Sequence, residues 1–153
     1  MLKYILTIII SFFGLLVGSL ILFMASEEQK PGKEYFVFAQ NASAALIAAL
    51  LLFFYNIDVF IILLVSLAVF VLLYLIKSAK KSLFAYPLIG FVFYLFSASS
   101  SFLINLSLLA FIYGMATAFL LVNTKDKKTA WRIALWHLPF FITALLPLLI
   151  SYL

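Results

Sequence analysis

The chain has 153 residues, of which 68% are hydrophobic and 10% are charged, and its mean hydropathy is +1.29. A soluble domain is about half apolar and still exposes roughly a third of its unfolded surface at this size, so this composition excludes a soluble globule and requires lipid. The net charge of +5 comes from small clusters of basic residues rather than one basic face, which argues against nucleic-acid binding.

Six apolar segments are predicted to cross the membrane, since a crossing helix needs about 20 apolar residues. In chain order they are Leu2–Met24, Phe36–Tyr55, Val59–Ile76, Leu83–Phe96, Phe102–Val122 and Trp131–Leu153. The first is interpreted as a retained helix, because its apolar core is too long for a typical signal peptide. The fourth is short, so five crossings with a re-entrant segment remain an open alternative.

The predicted fold is therefore an all-α, polytopic transmembrane helix bundle, with one integral membrane domain over residues 1–153. The six spans form three helical hairpins, and the second helix of each opens on a lysine followed by apolar residues. That pattern is too general to establish a threefold repeat, so the question of a repeat stays open.

The basic residues predict the orientation of the bundle, because lysine and arginine concentrate in cytoplasmic loops. The first, third and fifth loops hold Lys30, Lys33, Lys77, Lys80, Lys81, Lys125, Lys127, Lys128 and Arg132. The opposite side holds only Lys3. We therefore expect a multi-pass protein of the cell membrane with cytoplasmic odd-numbered loops and both termini outside.

A stripe of small residues runs along the first segment. Gly14 and Gly18 form a GxxxG pattern, which Thr7 and Ser11 extend. Such a stripe lets two helix backbones approach closely within lipid. The partner is either another helix of the same chain, with Ala42, Ala45 and Ala49 as an expected mate, or a helix of another protein. The first interpretation is preferred.

The last segment gathers unusual residues at its cytoplasmic end. Trp131, Arg132 and Trp136 are predicted to form an interfacial anchor, because tryptophan and arginine favour the headgroup level. Pro139 lacks an N–H and is predicted to bend the helix, and Pro147 is expected to act similarly. Helical phase turns His137 about 100° from Trp136, which favours an inward histidine.

Four polar side chains fall at similar depth in the inner leaflet: Gln40, Asn41, Tyr86 and His137. Intramembrane polar residues tend to face the bundle or a wet cavity. They predict a candidate inner-leaflet binding pocket, although hydrogen bonds between packed helices are the preferred explanation for each of them.

The remaining polar residues argue against a catalytic or metal-binding function. Asp58 is predicted to cap the third helix. With no cysteine and one histidine, we expect no metal and no cofactor, and no hydrolase, protease or phosphate-binding motif occurs.

The preferred function is a non-catalytic subunit or assembly partner of a larger membrane complex. Its expected partners are membrane lipids and other membrane subunits or a second copy of the chain. The alternative is a small permease or carrier for a lipid-like or weakly polar solute, and the third class is an intramembrane lipid-modifying enzyme that uses His137.

Overall fold

A computed structural model describes residues 2–76, 81–122 and 128–150 of the chain. In these ranges the chain is all-helical, with seven α-helices and one short 3₁₀ turn at Ser26–Glu28. The helices are α1 (Leu2–Met24), α2 (Gln29–Phe54), α3 (Val59–Leu75), α4 (Lys81–Leu95), α5 (Ser100–Leu121), α6 (Lys128–Trp136) and α7 (Pro139–Ile150). The predicted loops around Lys77, Lys80, Lys125 and Lys127 and the end of the last span lie outside the described residues.

Three helices, α1, α2 and α5, are long and apolar enough to cross a membrane. Helices α3 and α4 are apolar but shorter, with 17 and 15 residues, and the apolar stretch Trp131–Leu146 is divided between α6 and α7. Length and composition therefore establish three candidate spans, and the other three predicted crossings rest on further arguments.

The predicted polar loop after the first span is mostly helical. Helix α2 begins at Gln29 rather than Phe36 and includes Pro31 and Gly32 in its first turn. The first helical N–H groups have no partner within the helix, so a proline costs little there. The Gln29 side chain also links α2 to the end of α5, because its Nε2 donates to the Val122 carbonyl oxygen at 2.8 Å.

Helix α5 occupies the centre and packs along both α1 and α2, while α3 packs on α2 and α4 packs on α7. Within the three predicted hairpins, by contrast, α1 with α2, α3 with α4 and α5 with α6 make only minor contact. The packing therefore differs from the expected order of three hairpins, because the small residues of α1 and α5 allow a closer approach than neighbours along the chain achieve.

The contacts give each helix a direction relative to α5. Helix α1 is parallel to α5, since Ser11 lies at Ser107 and Gly18 lies at Met115. Helix α2 is antiparallel, since its start meets Val122 and its end brings Phe53 to Phe102. Helices α4 and α7 run parallel to each other, since Tyr86 meets Phe140 and Gly90 meets Ala144. Helix α7, and with it α4, is antiparallel to α1, since Tyr4 bonds to Ala144 and Phe12 meets Phe140.

The turn between α2 and α3 bears out the predicted cap. The Asp58 carboxylate accepts a hydrogen bond from the Phe60 amide at 2.8 Å and so caps α3. Asn56 precedes it with a φ of 54°, in the left-handed region that asparagine tolerates better than most residues.

Candidate functional site

The glycines of the GxxxG pattern face another helix of the same chain. A Cβ atom at Gly14 would collide with the Phe111 backbone, and one at Gly18 would collide with the Met115 backbone. On the α5 side, a Cβ at Gly114 would lie 3.1 Å from the Leu15 nitrogen. The mate is therefore α5, and the expected mate of Ala42, Ala45 and Ala49 on α2 is wrong for these two glycines.

The polar residues of the α1 stripe are satisfied locally. Ser11 Oγ donates to the Thr7 carbonyl oxygen at 2.7 Å, and Thr7 Oγ1 donates to the Tyr4 carbonyl oxygen at 2.7 Å. Backbone acceptors one turn earlier let these hydroxyls sit in an apolar interface. Ser11 Oγ also lies 3.4 Å from the Ser107 carbonyl oxygen of α5, so the stripe packs α1 against α5.

The last predicted span is broken where the sequence predicts a bend. Helix α6 ends at Trp136 and α7 begins at Pro139, and the Phe140 amide bonds to the His137 carbonyl oxygen at 3.1 Å in a tighter i to i+3 pattern. Pro139 has no N–H to continue the helical ladder, which explains the break. Beyond it, α7 continues through Pro147 to Ile150.

Helical phase separates the anchor residues from the histidine. Trp131 and Trp136 are 68% and 61% exposed, and Arg132 is exposed as well. His137 is fully buried. The inward histidine and outward tryptophans agree with the prediction, while the interfacial role of the anchor stays a prediction.

The four predicted pocket residues are all buried, but they divide into two groups. Tyr86 and His137 contact each other directly, with ring centroids 4.7 Å apart in an edge-to-face arrangement. Gln40 lies on α2, where its Nε2 donates to Thr117 Oγ1 at 2.8 Å. Asn41, the next residue along α2, is fully buried as well.

Two residues of α5 connect these groups. Thr117 lies one turn after Tyr113, whose ring centroid lies 5.5 Å from that of Tyr86. A continuous row of polar side chains therefore crosses the bundle from α2 through α5 to α4 and the α6–α7 break. Sequence reasoning missed Tyr113 and Thr117, although both stand next to the small residues Gly114 and Ala116.

None of the four predicted residues lines the open groove of about 200 Å³ that the structure contains. That groove lies at the other end of the bundle, between the first turns of α1 and α5. Its walls are formed by Lys3, Leu6, Thr7, Ser100, Leu103 and Ile104.

Two polar atoms near the break are exceptional. Tyr86 Oη and His137 Nε2 are buried and have no hydrogen-bond partner among the described residues. Most buried polar groups in proteins have such a partner, so each exception calls for an explanation. Among the residues that the structure describes, no group of three or more histidine or acidic side chains could hold a metal ion.

The chain matches no protein-family model, no curated protein and no solved structure. Functional inference therefore rests on the geometry of this chain alone.

Proposed function

We propose that the protein is a non-catalytic integral membrane protein that joins a larger membrane complex through helix packing, with α3 as the joining helix. The observation that carries the proposal is the position of α3 at the edge of the bundle. Ile62 is the only buried side chain along its 17 residues, and α2 is the only helix on which it packs extensively.

The free surface of α3 is large and almost entirely apolar. Ten of its large side chains are exposed: Val59, Phe60, Ile61, Leu63, Leu64, Leu67, Val71, Leu72, Tyr74 and Leu75. Of its two hydroxyls, that of Ser66 donates to the Ile62 carbonyl oxygen in the same helix, and that of Tyr74 lies next to the last residue of the helix. Between Val59 and Leu72, therefore, no unsatisfied polar side chain opposes the approach of a second apolar helix.

The short length of α3 is a reason for it to associate with another helix. A helix of 17 residues spans about 25 Å, several ångströms less than a hydrocarbon core of about 30 Å. Short transmembrane helices reduce this mismatch partly by oligomerising. A neighbour against α3 would cover the helix ends where lipid fits poorly.

The proposal includes six crossings with both termini outside. Helices α1 and α5 are parallel, so the chain must return to its starting side between them, and α2 alone or α2, α3 and α4 together must cross. Helix α3 is antiparallel to α2, since a short turn joins them and Phe38 meets Phe70, and α4 is antiparallel to α1; these alternating directions support the second choice. The lysine-rich odd loops favour a cytoplasmic position for the connection between α1 and α2.

Cysteine labelling tests this topology, because the chain has no cysteine of its own. Ser26 and Ser97 are exposed and lie in connections on opposite sides of the proposed bundle. In intact cells an impermeant maleimide should label Ser97→Cys, and it should reach Ser26→Cys only after permeabilisation. Labelling of both positions from one side would refute the six crossings.

Site-specific crosslinking tests the joining helix. A photoreactive benzoylphenylalanine at Leu67 of α3, which is 64% exposed, should give one adduct of defined mass in native membranes. The matched control is Leu108 of α5, which is 60% exposed and should yield only lipid adducts. An adduct of twice the chain mass identifies a second copy as the partner. Lipid adducts alone at both positions would refute the proposal.

The carrier for a lipid-like or weakly polar solute remains the second candidate. The observation that favours it is the contact between Tyr86 and His137 at a break in a helix, since interrupted membrane helices commonly mark substrate sites in transporters.

A further inference from the structure

The strongest unexplained feature of the molecule is the contact between α4, which contains a proline, and the break between α6 and α7. Pro87 follows Tyr86 inside α4, and Pro139 lies two residues after His137 at the α6–α7 break. Each proline removes one backbone donor from its helix. The parallel packing of α4 and α7 places the two prolines, and the two polar rings beside them, at the same depth.

The hydrogen bond of the histidine ring defines its tautomer. His137 Nδ1 lies 2.6 Å from the Ile133 carbonyl oxygen, one turn earlier in α6. A carbonyl oxygen only accepts, so Nδ1 must carry the hydrogen. In the neutral ring Nε2 is therefore a bare acceptor, and it is buried without a partner among the described residues.

Tyr86 contributes the complementary group. Its hydroxyl is fully buried in the space that the missing side chain of Gly114 leaves on α5, where any Cβ would collide with Oη. The hydroxyl can donate one hydrogen bond and can also accept. Like His137 Nε2, it has no partner in the part of the chain that the structure describes.

Tyr86 and His137 are themselves fully buried, but exposed side chains flank them along the chain. On α4, Phe84 and Leu88 are 77% and 65% exposed, and on the α6–α7 break Leu138 is 44% exposed. An amphiphile dissolved in the bilayer would reach the pair by separating α4 from the α6–α7 break.

We propose that Tyr86 and His137 form a binding site for a single hydroxyl group, in which His137 Nε2 accepts a hydrogen bond from that group and Tyr86 Oη donates one to it. A hydroxyl both donates and accepts, and so it satisfies both atoms at once, whereas an ether, a ketone or an alkane cannot. The hydroxyl belongs either to a membrane-soluble alcohol or to water. This proposed site does not depend on the proposed assembly role of α3. If the protein is instead a carrier, the site indicates that its solute bears a hydroxyl group.

The single histidine makes a direct test available, because selective ¹⁵N-histidine labelling of the full chain in lipid bilayers gives two ring signals from His137 alone. Nitrogen shifts separate a protonated Nδ1 from a bare Nε2 and report hydrogen bonding at Nε2. The probe is n-hexanol, and hexyl methyl ether is the matched control of similar size that accepts but cannot donate.

We expect n-hexanol to move the Nε2 signal saturably and hexyl methyl ether to leave it in place. Tyr86→Phe should weaken the hexanol effect about fivefold, the loss expected for one neutral hydrogen bond. Tyr94→Phe, on the same helix but outside this contact, should bind as the parent does. A hydrogen-bonded Nε2 in hexanol-free bilayers, with magnetisation transfer from water that hexanol suppresses, would also support the site and identify water as its resident.

Three results would overturn the proposal. One is a proton on Nε2 instead of Nδ1. Another is an Nε2 signal that neither hexanol nor water affects, or that drifts with hexanol without saturation. The third is an Nε2 hydrogen bond that depends on Tyr86 but persists without contact to water or alcohol, because the two side chains would then bond each other directly. The parent titration decides the question even if Tyr86→Phe fails to fold.

Discussion

The α1–α5 interface and the contact of α4 with the α6–α7 break both contain glycines at close approaches, but they differ in whether the nearby polar groups have hydrogen-bond partners. Between α1 and α5, glycines on both helices bring the backbones together, and nearby hydroxyls such as that of Ser11 bond to their own helix. Beside the break, Gly90 allows one close approach, but two prolines and two partnerless polar atoms lie next to it. Among the described residues, the first interface leaves no buried polar side-chain atom of α1 or α5 without a partner, whereas the second contains two such atoms.

The largest expected effect is at the α1–α5 interface. Gly14→Ile should lower the free energy of unfolding by about 3 kcal/mol, the upper end for overpacking, because the clash is with the Phe111 backbone rather than a flexible side chain. The measurement is unfolding of the purified protein in mild detergent with increasing SDS. Phe13→Ile, at a 51% exposed neighbouring position, is the control and should change stability little. Equal stability of both variants would mean that the interface opens easily.

Alanine substitutions at two other glycines should change the stability of the protein in opposite directions. Gly90→Ala should destabilise by about 1–2 kcal/mol, because the new Cβ would meet the Phe140 carbonyl oxygen across the α4–α7 contact. Gly32→Ala meets only the ring edges of Phe119 and Phe36, at 3.4 and 3.5 Å, and should stabilise by up to about 1 kcal/mol through helix propensity. The same SDS titration measures both. A gain from Gly90→Ala would contradict the close approach of α4 and α7.

Tyrosine hydroxyls provide the next comparison. Tyr4 Oη donates to the Ala144 carbonyl oxygen and so ties α1 to α7. Tyr4→Phe should cost about 1 kcal/mol, the typical net value of one hydrogen bond. Tyr86→Phe should cost less in alcohol-free detergent, because its hydroxyl has no partner among the described residues. Unfolding curves that rank the two variants in reverse order would be inconsistent with these contacts.

The smallest expected effect concerns the bond between α2 and α5. Thr117→Val keeps the shape of the side chain but removes the hydroxyl that accepts from Gln40. In a double-mutant cycle with Gln40→Leu, the coupling energy should be about 0.6 kcal/mol, the average for such bonds in membrane proteins. A coupling energy of zero would indicate that the two side chains do not interact.

The sequence predicted individual helices better than their partners. The GxxxG pattern correctly indicated a close helix contact, but many small-residue stripes can pair with it, and only three-dimensional packing selects one. A signal for the true mate was present, because Ala110, Gly114 and Ala118 form a small-residue stripe on α5 at spacing i, i+4, i+8. That spacing is as regular as the one in α1.

The site was only partly predictable for a similar reason. Periodicity placed His137 inward and Pro139 indicated the break, since both depend on local geometry. The contact of His137 with Tyr86 and the separation of Gln40 from this pair depend on which helices surround α5. The importance of Pro87 and Gly90 was missed, because within an apolar segment neither residue reveals what lies opposite it. The helical start of α2 was missed because its polar composition resembles a loop.

The parallel pairing of α1 with α5 has a consequence for biosynthesis. Gly18 and its partner Met115 are separated by nearly one hundred residues, and ribosomes add roughly 5–20 residues per second. The glycine face of α1 is therefore synthesised about 5–20 seconds before its partner. During that interval lipid, the insertion machinery or another nascent helix must cover the face, so the interface most sensitive to mutation is also the one that the growing chain completes late.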